Sequence, residues 1–186
     1  MSGVESGTRT GKAHRDEANA GIRAGKAHRS GIQFGAREAG RIRFAQAGDA
    51  RELAELSQEA LVYAWSSRDF LDSFKNPQAK VILYEEDHVL LGYAVLYHAA
   101  DEGEVASVGV RRSARRRGIG RLLLQELLVQ GSENGVSRFF LEVRESNVPA
   151  QSLYEAMGFL RVGVRKDFYE HPREDAFLMM RDGRGS

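Results

Sequence analysis

Arg115–Gly120 reads "RRRGIG", three arginines and two glycines set between the strand-like run "EVASVGV" (Glu104–Val110) and the helix-like run "RLLLQELLVQ" (Arg121–Gln130). Neighbouring cations repel one another, the dipole at a helix start disfavours positive charge, and glycine is a poor helix former, so the stretch opposes the helix it opens. An anion resolves the conflict. Backbone N–H groups at a helix start point outward without partners, and glycine lets a ligand touch the backbone itself. Arg115, Arg116, Arg117 and Arg121 then face negative charge. A strand, glycine turn and helix in this order suit a pyrophosphate; the same residues without a ligand read as a solvated basic loop. Two familiar nucleotide loops are excluded by spacing. "GIGRLL" lacks the third glycine of a dinucleotide fingerprint, and a P-loop needs Lys followed by Ser or Thr.

Working outward, Leu122, Leu123, Leu124, Leu127 and Leu128 predict a helix with a wide apolar face that stops near "GSENG". The buried strand "VSRFFLEV" follows. "ESNVPAQSLYEAMGF" then predicts a short helix with Pro149 in its first turn and Gly158 as its stop. Two closing strands are expected at about Leu160–Lys166 and Asp175–Arg181. Upstream, "RIRFAQA" (Arg41–Ala47) reads as a strand, and Asp49 as the cap of a helix in which Leu53, Leu56, Ala60 and Tyr63 recur at helical spacing. A second helix is expected around Arg68–Phe74, ended by Asn76–Pro77. "KVILYEEDHVLLGYAVLYHA" reads as two antiparallel strands joined through Glu85–His88, and "EVASVGV" as a third after the turn signal "DEG". Strands first, then helix, strand, helix and two strands predict an α/β (α+β) architecture: a mixed, mostly antiparallel sheet with helices on both faces.

Met1 to about Gly40 has Val4, Ile22, Ile32 and Phe34 as almost its only bulky apolar residues, too few to offset the entropy of ordering. It reads as a disordered basic tail (1–40) before a folded domain (41–182) and a short C-terminal tail (183–186). "GKAHR" recurs at Gly11–Arg15 and Gly25–Arg29, but each copy is too short and polar to be a stacking unit. Hydrophobic residues make up 42% of the 186, enough for a core, while charged residues at 28% nearly cancel to +1. That balance argues against a dedicated nucleic-acid binder. Without cysteine there is no disulfide framework, thiolate site or cysteine nucleophile. No apolar run reaches the roughly 18 residues that span a bilayer, and the start lacks the apolar segment of a signal peptide, so a cytoplasmic location is expected. His14, His28, His88, His98 and His171 show no metal-ligand spacing, and no metal is expected.

"R-x-x-G-x-G" between a strand and a helix resembles the acetyl-coenzyme A signature of the Gcn5-related N-acetyltransferases. With "FFLEVRESNVPAQSLYEAMGF" the chain resembles the RimI-type ribosomal-protein-alanine N-acetyltransferases, from about Arg41 to Arg181 and not in the tail. The resemblance implies that fold and acetyl-coenzyme A as co-substrate. It places the backbone of Val108, Gly109 and Val110 along the pantetheine arm, and Arg115, Arg116, Arg117, Gly118, Ile119, Gly120 and Arg121 around the pyrophosphate. Gly109 is also expected from its own context to mark a bulge or a close ligand approach. Glu142 matches the family's general base, Asn147 a coenzyme contact and Tyr154 the general acid. Trp65 and Tyr169 match aromatic positions flanking the peptide entrance, although the family commonly has proline where Ala64 stands. From strand alternation alone, Glu142 shares a face with Arg138, Phe140 and Arg144, and reads equally as half of an exposed pair with Arg144. Tyr154 and Trp65 also read as core residues.

Acetyl transfer needs a neutral amine, a donor for the developing oxyanion and a proton for the departing thiolate. Glu142, through a water, a backbone N–H near Val110, and Tyr154 are the expected suppliers. Neutralising an α-amine of pKa near 8 at pH 7 costs roughly 1.4 kcal/mol, against about 4.6 for a lysine near 10.4. A protein N-terminus is therefore the expected acceptor, and the family implies the N-terminal alanine of a small-subunit ribosomal protein. The rivals are a related enzyme acting on a small-molecule amine and a ribosome-associated binding module without catalysis.

Overall fold

The computed structural model describes residues 40–183; the expected basic tail, apart from Gly40, and residues 184–186 lie outside them. Seven strands form one sheet in the order β1-β2-β3-β4-β5-β7-β6. They are β1 (Arg41–Phe44), β2 (Ala79–Glu86), β3 (Val89–Ala99), β4 (Glu102–Val110), β5 (Arg138–Arg144), β6 (Leu160–Glu170) and β7 (Arg173–Asp182). All neighbours run antiparallel except β4 and β5. Among the described residues the α-helices are α1 (Ala50–Ala60), α2 (Ser67–Lys75), α3 (Ile119–Glu133) and α4 (Val148–Ala156).

Two cores sit on the two faces of the sheet, as the mixed pattern predicted. Leu53 and Leu56 of α1 and Phe70 of α2 pack on Val81, Tyr93 and Val95. On the other face, Leu123, Leu124, Leu127 and Leu128 of α3 pack on Leu96, Phe139 and Leu141, with α4 added through Leu153, Tyr154 and Met157. Burying each leucine contributes ~2 kcal/mol, while a glycine in a helix costs about 1. The four leucines therefore hold α3 in place despite the glycines and cations at its start. Leu122 does not join them; it is 45% exposed, so the apolar face is narrower than expected.

Several local expectations change. Asp49 does not cap α1. Its backbone is already helical, and its carboxylate accepts from the Gln46 amide at 2.7 Å and pairs with Arg43 at 2.8 Å, closing the preceding 3-10 turn. The helix α1 ends at Ala60, so Tyr63 belongs to the loop before α2 despite its spacing. Glu102 and Gly103 of the "DEG" signal are the first residues of β4, not a turn. The closing strands are longer than predicted and carry Tyr169 inside β6 rather than in a loop.

Candidate active site

The site begins where β4 leaves β5. The two pair in parallel only at Glu102–Arg138, Gly103–Phe139 and Glu104–Phe140, yet β4 runs on to Val110 and β5 to Arg144. Backbone groups that a neighbouring strand would satisfy are thus turned toward a cleft of about 810 Å3. Val105 to Val108 line one wall, Glu142 and Arg144 the other, and Tyr154 of α4 closes one side. β4 is also bulged, since Val95 opposes Ser107 while Leu96 opposes Val105, leaving Ala106 without a partner on β3. Gly109 is not the bulge. A Cβ there would stand 2.4 Å from Cε1 of Tyr93, so the glycine makes room for a buried ring. Of Val108, Gly109 and Val110, only Val108 lines the cleft.

Past β4 the chain turns into α3 through Gly118, at φ +82°, a left-handed conformation in which a side chain is strained. No side chain caps the helix, and its first backbone bond is from the Leu122 amide to the Gly118 carbonyl at 3.0 Å. The amides of Ile119, Gly120 and Arg121 precede that bond and point out of the helix end. The arginines divide into two groups. Arg117 donates through Nη2 to both carboxylate oxygens of Glu86, each at 2.7 Å, and Arg115 donates to the carbonyls of Val110 and Ala60. Arg116 and Arg121 are exposed and make no ion pair among the described residues. An uncapped helix start, a glycine with open space beside it and two uncommitted guanidinium groups fit a pyrophosphate.

On β5, Phe139, Leu141 and Val143 are buried in the α3 core while Glu142 faces the other side, as strand alternation predicted. Its partner is not Arg144 but Arg165 of β6, at 2.9 Å. Partial burial raises the Glu142 carboxyl above its ordinary range; the Arg165 charge opposes that and the nearby Glu104 adds to it. Tyr154 packs edge-on against Phe159, 5.9 Å between centroids, so it is both a core residue and a wall of the cleft. Burial, with a lesser contribution from Tyr169, pushes its phenol up to about 12. Asn147 stands at the mouth of the same cleft and caps α4, its side chain accepting from the Ala150 amide at 3.3 Å.

The entrance is built by residues distant in sequence. Tyr63 and Tyr169 stack at 6.0 Å, and the Tyr63 hydroxyl accepts from the amides of Glu170 (2.9 Å) and His171 (2.7 Å), tying the α1–α2 loop to the β6–β7 turn. Arg144 lies 4.0 Å from the Tyr169 ring centroid and pairs with Glu174 at 2.8 Å. Two register shifts in β6 re-aim it, one of them between Arg165 and Tyr169. There Asp167 takes φ +52° and is held by Arg173 at 2.7 Å, while its amide donates to Asp175 at 2.9 Å. The bulge brings Phe168 and Tyr169 to the cleft. Trp65 sits on Phe70 and Tyr97, at 5.4 and 6.3 Å between centroids, and also lines the cleft. Sequence reasoning placed Trp65 and Tyr169 here. It missed Tyr63, absorbed into a helical pattern, and Arg165 and Glu104, for which charge at alternating strand positions was the only signal.

Residues 50–159 match the model of the acetyltransferase (GNAT) family. Over 140 residues the chain is 35% identical to the [ribosomal protein bS18]-alanine N-acetyltransferase of Haemophilus influenzae, covering 72% of this chain and 92% of that one. It superposes on the crystal structure of the ribosomal-protein-S18-alanine N-acetyltransferase from Escherichia coli with a TM-score of 0.72 at 27% identity, over 77% of this chain and 94% of that one. The PaiA N-acetyltransferase of Thermoplasma acidophilum, solved in complex with coenzyme A, shares the fold at a TM-score of 0.65 and 19% identity, over 77% and 98% of the two chains.

Proposed function

The chain belongs to the GNAT family of acetyltransferases, and on that premise we propose that it acetylates the N-terminal α-amine of a protein, the N-terminal alanine of a small-subunit ribosomal protein, in the cytoplasm where ribosomes are made. Acetyl-coenzyme A would supply the activated acyl carbon: the amine nitrogen bonds it, the carbon–sulfur bond breaks, and coenzyme A departs through its sulfur. The amides and uncommitted arginines at the start of α3 hold its pyrophosphate, and Val108 and the bulged edge of β4 line its pantetheine arm. Glu142, made more basic by partial burial, accepts the amine's proton through a water. Tyr154 keeps its proton at neutral pH because its phenol titrates at about 12, and it donates that proton to the departing sulfur. A backbone amide at the end of β4, near Val110, bonds the developing oxyanion.

The observation that carries this reading is that the half-buried Glu142 carboxyl and the Tyr154 phenol stand on the walls of one cleft whose mouth is bridged by Tyr63. The similarity to alanine N-acetyltransferases supports the N-terminal acceptor. Supplying acetyl-coenzyme A with alanine-initiated peptides, and separately with N-terminally blocked peptides bearing one lysine, tests it by mass spectrometry. Acetylation of the free N-termini is expected; faster lysine labelling overturns the choice of acceptor. Labelling of a polyamine alone would move the reading to small-molecule amines, and no transfer to any amine would favour a binding module.

A further inference from the structure

Tyr93 of β3 is completely buried beneath the cleft and takes no part in the chemistry described above. Its ring meets Phe70 edge-on at 5.2 Å between centroids, and Phe70 in turn carries the Trp65 indole. The other side of the ring lies over Gly109, where any Cβ would clash. Burying a hydroxyl without partners costs a few kcal/mol, and here both ends of the site supply them. The Tyr93 hydroxyl donates to Ser57 Oγ at 3.0 Å and meets Ser107 Oγ at 2.9 Å. Ser57 Oγ also accepts the backbone N–H of Trp65 at 2.8 Å. Tyr93 has a single proton and gives it to Ser57, so Ser107 donates to Tyr93.

The three hydroxyls thus run unbroken between two walls. At one end, Trp65 lines the acceptor side of the cleft; at the other, Ser107 follows the bulge residue Ala106 on the strand along the acyl donor. Ser57 and Ser107 are themselves buried, at 0% and 6% exposure, so their bonds to Tyr93 are largely shielded from water. We infer that Tyr93 is a positioning residue for acetyl transfer, its hydroxyl setting the separation between the Trp65 wall and the bulged edge of β4. The inference rests on the proposed reaction, since two reactants must be held within a few tenths of an ångström of their attacking geometry.

Tyr93→Phe removes the hydroxyl and keeps the ring over Gly109 and Phe70. Trp65 is the only tryptophan in the chain, so protein fluorescence excited at its red edge reports that wall alone. In Tyr93→Phe, acrylamide quenching of Trp65 is expected to rise at least two-fold. With an alanine-initiated peptide, kcat is expected to fall at least five-fold while calorimetry gives an unchanged affinity for acetyl-coenzyme A, the signature of an interaction used in the transition state. Ser107→Ala should reproduce the kcat loss, Ser107→Thr should restore most of it, and Tyr93→Phe with Ser107→Ala should be no worse than either alone. Unchanged quenching and kcat in a folded Tyr93→Phe, or losses that simply add, would overturn the inference alone. Absence of wild-type turnover on any peptide N-terminus would instead remove the proposed reaction, and this inference with it.

Discussion

The two sides of the cleft are assembled in opposite ways. The proposed pyrophosphate and pantetheine side comes from one uninterrupted stretch, Val105 to Arg121, in which strand, glycine turn and helix start follow one another. The acceptor side is gathered from three separate segments: Tyr63 and Trp65 before α2, Glu142 and Arg144 on β5, and Arg165 to Glu174 across the β6–β7 hairpin. Binding of a pyrophosphate needs only local backbone geometry, which a short sequence can carry. Holding an amine against a base needs side chains from different elements, and these meet only when the sheet is complete.

Substitutions that separate the two sides put this contrast at risk. The largest effect is expected from Glu142→Gln, which removes the proposed base: kcat should drop by about 10² to 10⁴-fold with calorimetric affinity for acetyl-coenzyme A unchanged. A matching loss of cofactor affinity would mean that the sides are not separable. Next, Tyr63→Phe deletes the hydroxyl that receives the Glu170 and His171 amides. Each lost bond is worth about 1 kcal/mol, so steady-state kinetics should show the peptide KM rising on the order of ten-fold and the acetyl-coenzyme A KM staying put.

The pH dependence sharpens the acceptor side further. A general base works deprotonated, so activity falls as pH drops through the Glu142 pKa. Arg165 lowers that pKa and Glu104 raises it. Arg165→Ala should therefore move the acid limb of the kcat profile to higher pH, and Glu104→Gln should move it lower. The alkaline side should stay flat well above neutrality, because the Tyr154 phenol titrates only at about 12. The smallest effect belongs to the donor side. Arg117 is occupied by Glu86, so Arg117→Ala should change cofactor affinity less than two-fold and lower the melting temperature only slightly, since an exposed ion pair is screened by water. Arg121→Ala, at an uncommitted guanidinium, should weaken acetyl-coenzyme A binding several-fold and flatten its salt dependence.

Much of the architecture was legible in advance: the leucine spacing of α3, the alternation that turns Glu142 away from the core, Pro149 and Gly158 around α4, and the mixed sheet that they imply. The errors share one cause. Tyr63 fits the period of α1, but the helix stops at Ala60, where Leu61 turns extended and the Trp65 amide is drawn back to Ser57. Alternation along β5 offered Arg144 as the partner of Glu142, but the pairing of β7 with β6 puts Arg165 beside it while Glu174 takes Arg144. Gly109 was expected to mark a bulge or a close ligand approach; the bulge lies at Ala106, and the glycine makes room for the Tyr93 ring.

By itself, then, the order of residues determined the periodic elements, their apolar faces and the anion-ready turn before α3, since each follows from backbone geometry acting over a few neighbours. Tertiary structure alone decided which guanidinium meets which carboxylate, where β4 and β5 part, and that residue 63 would bridge to residues 170 and 171. Such contacts join positions up to 108 residues apart, and their identity depends on strand order and on single-residue register shifts, which no local period encodes.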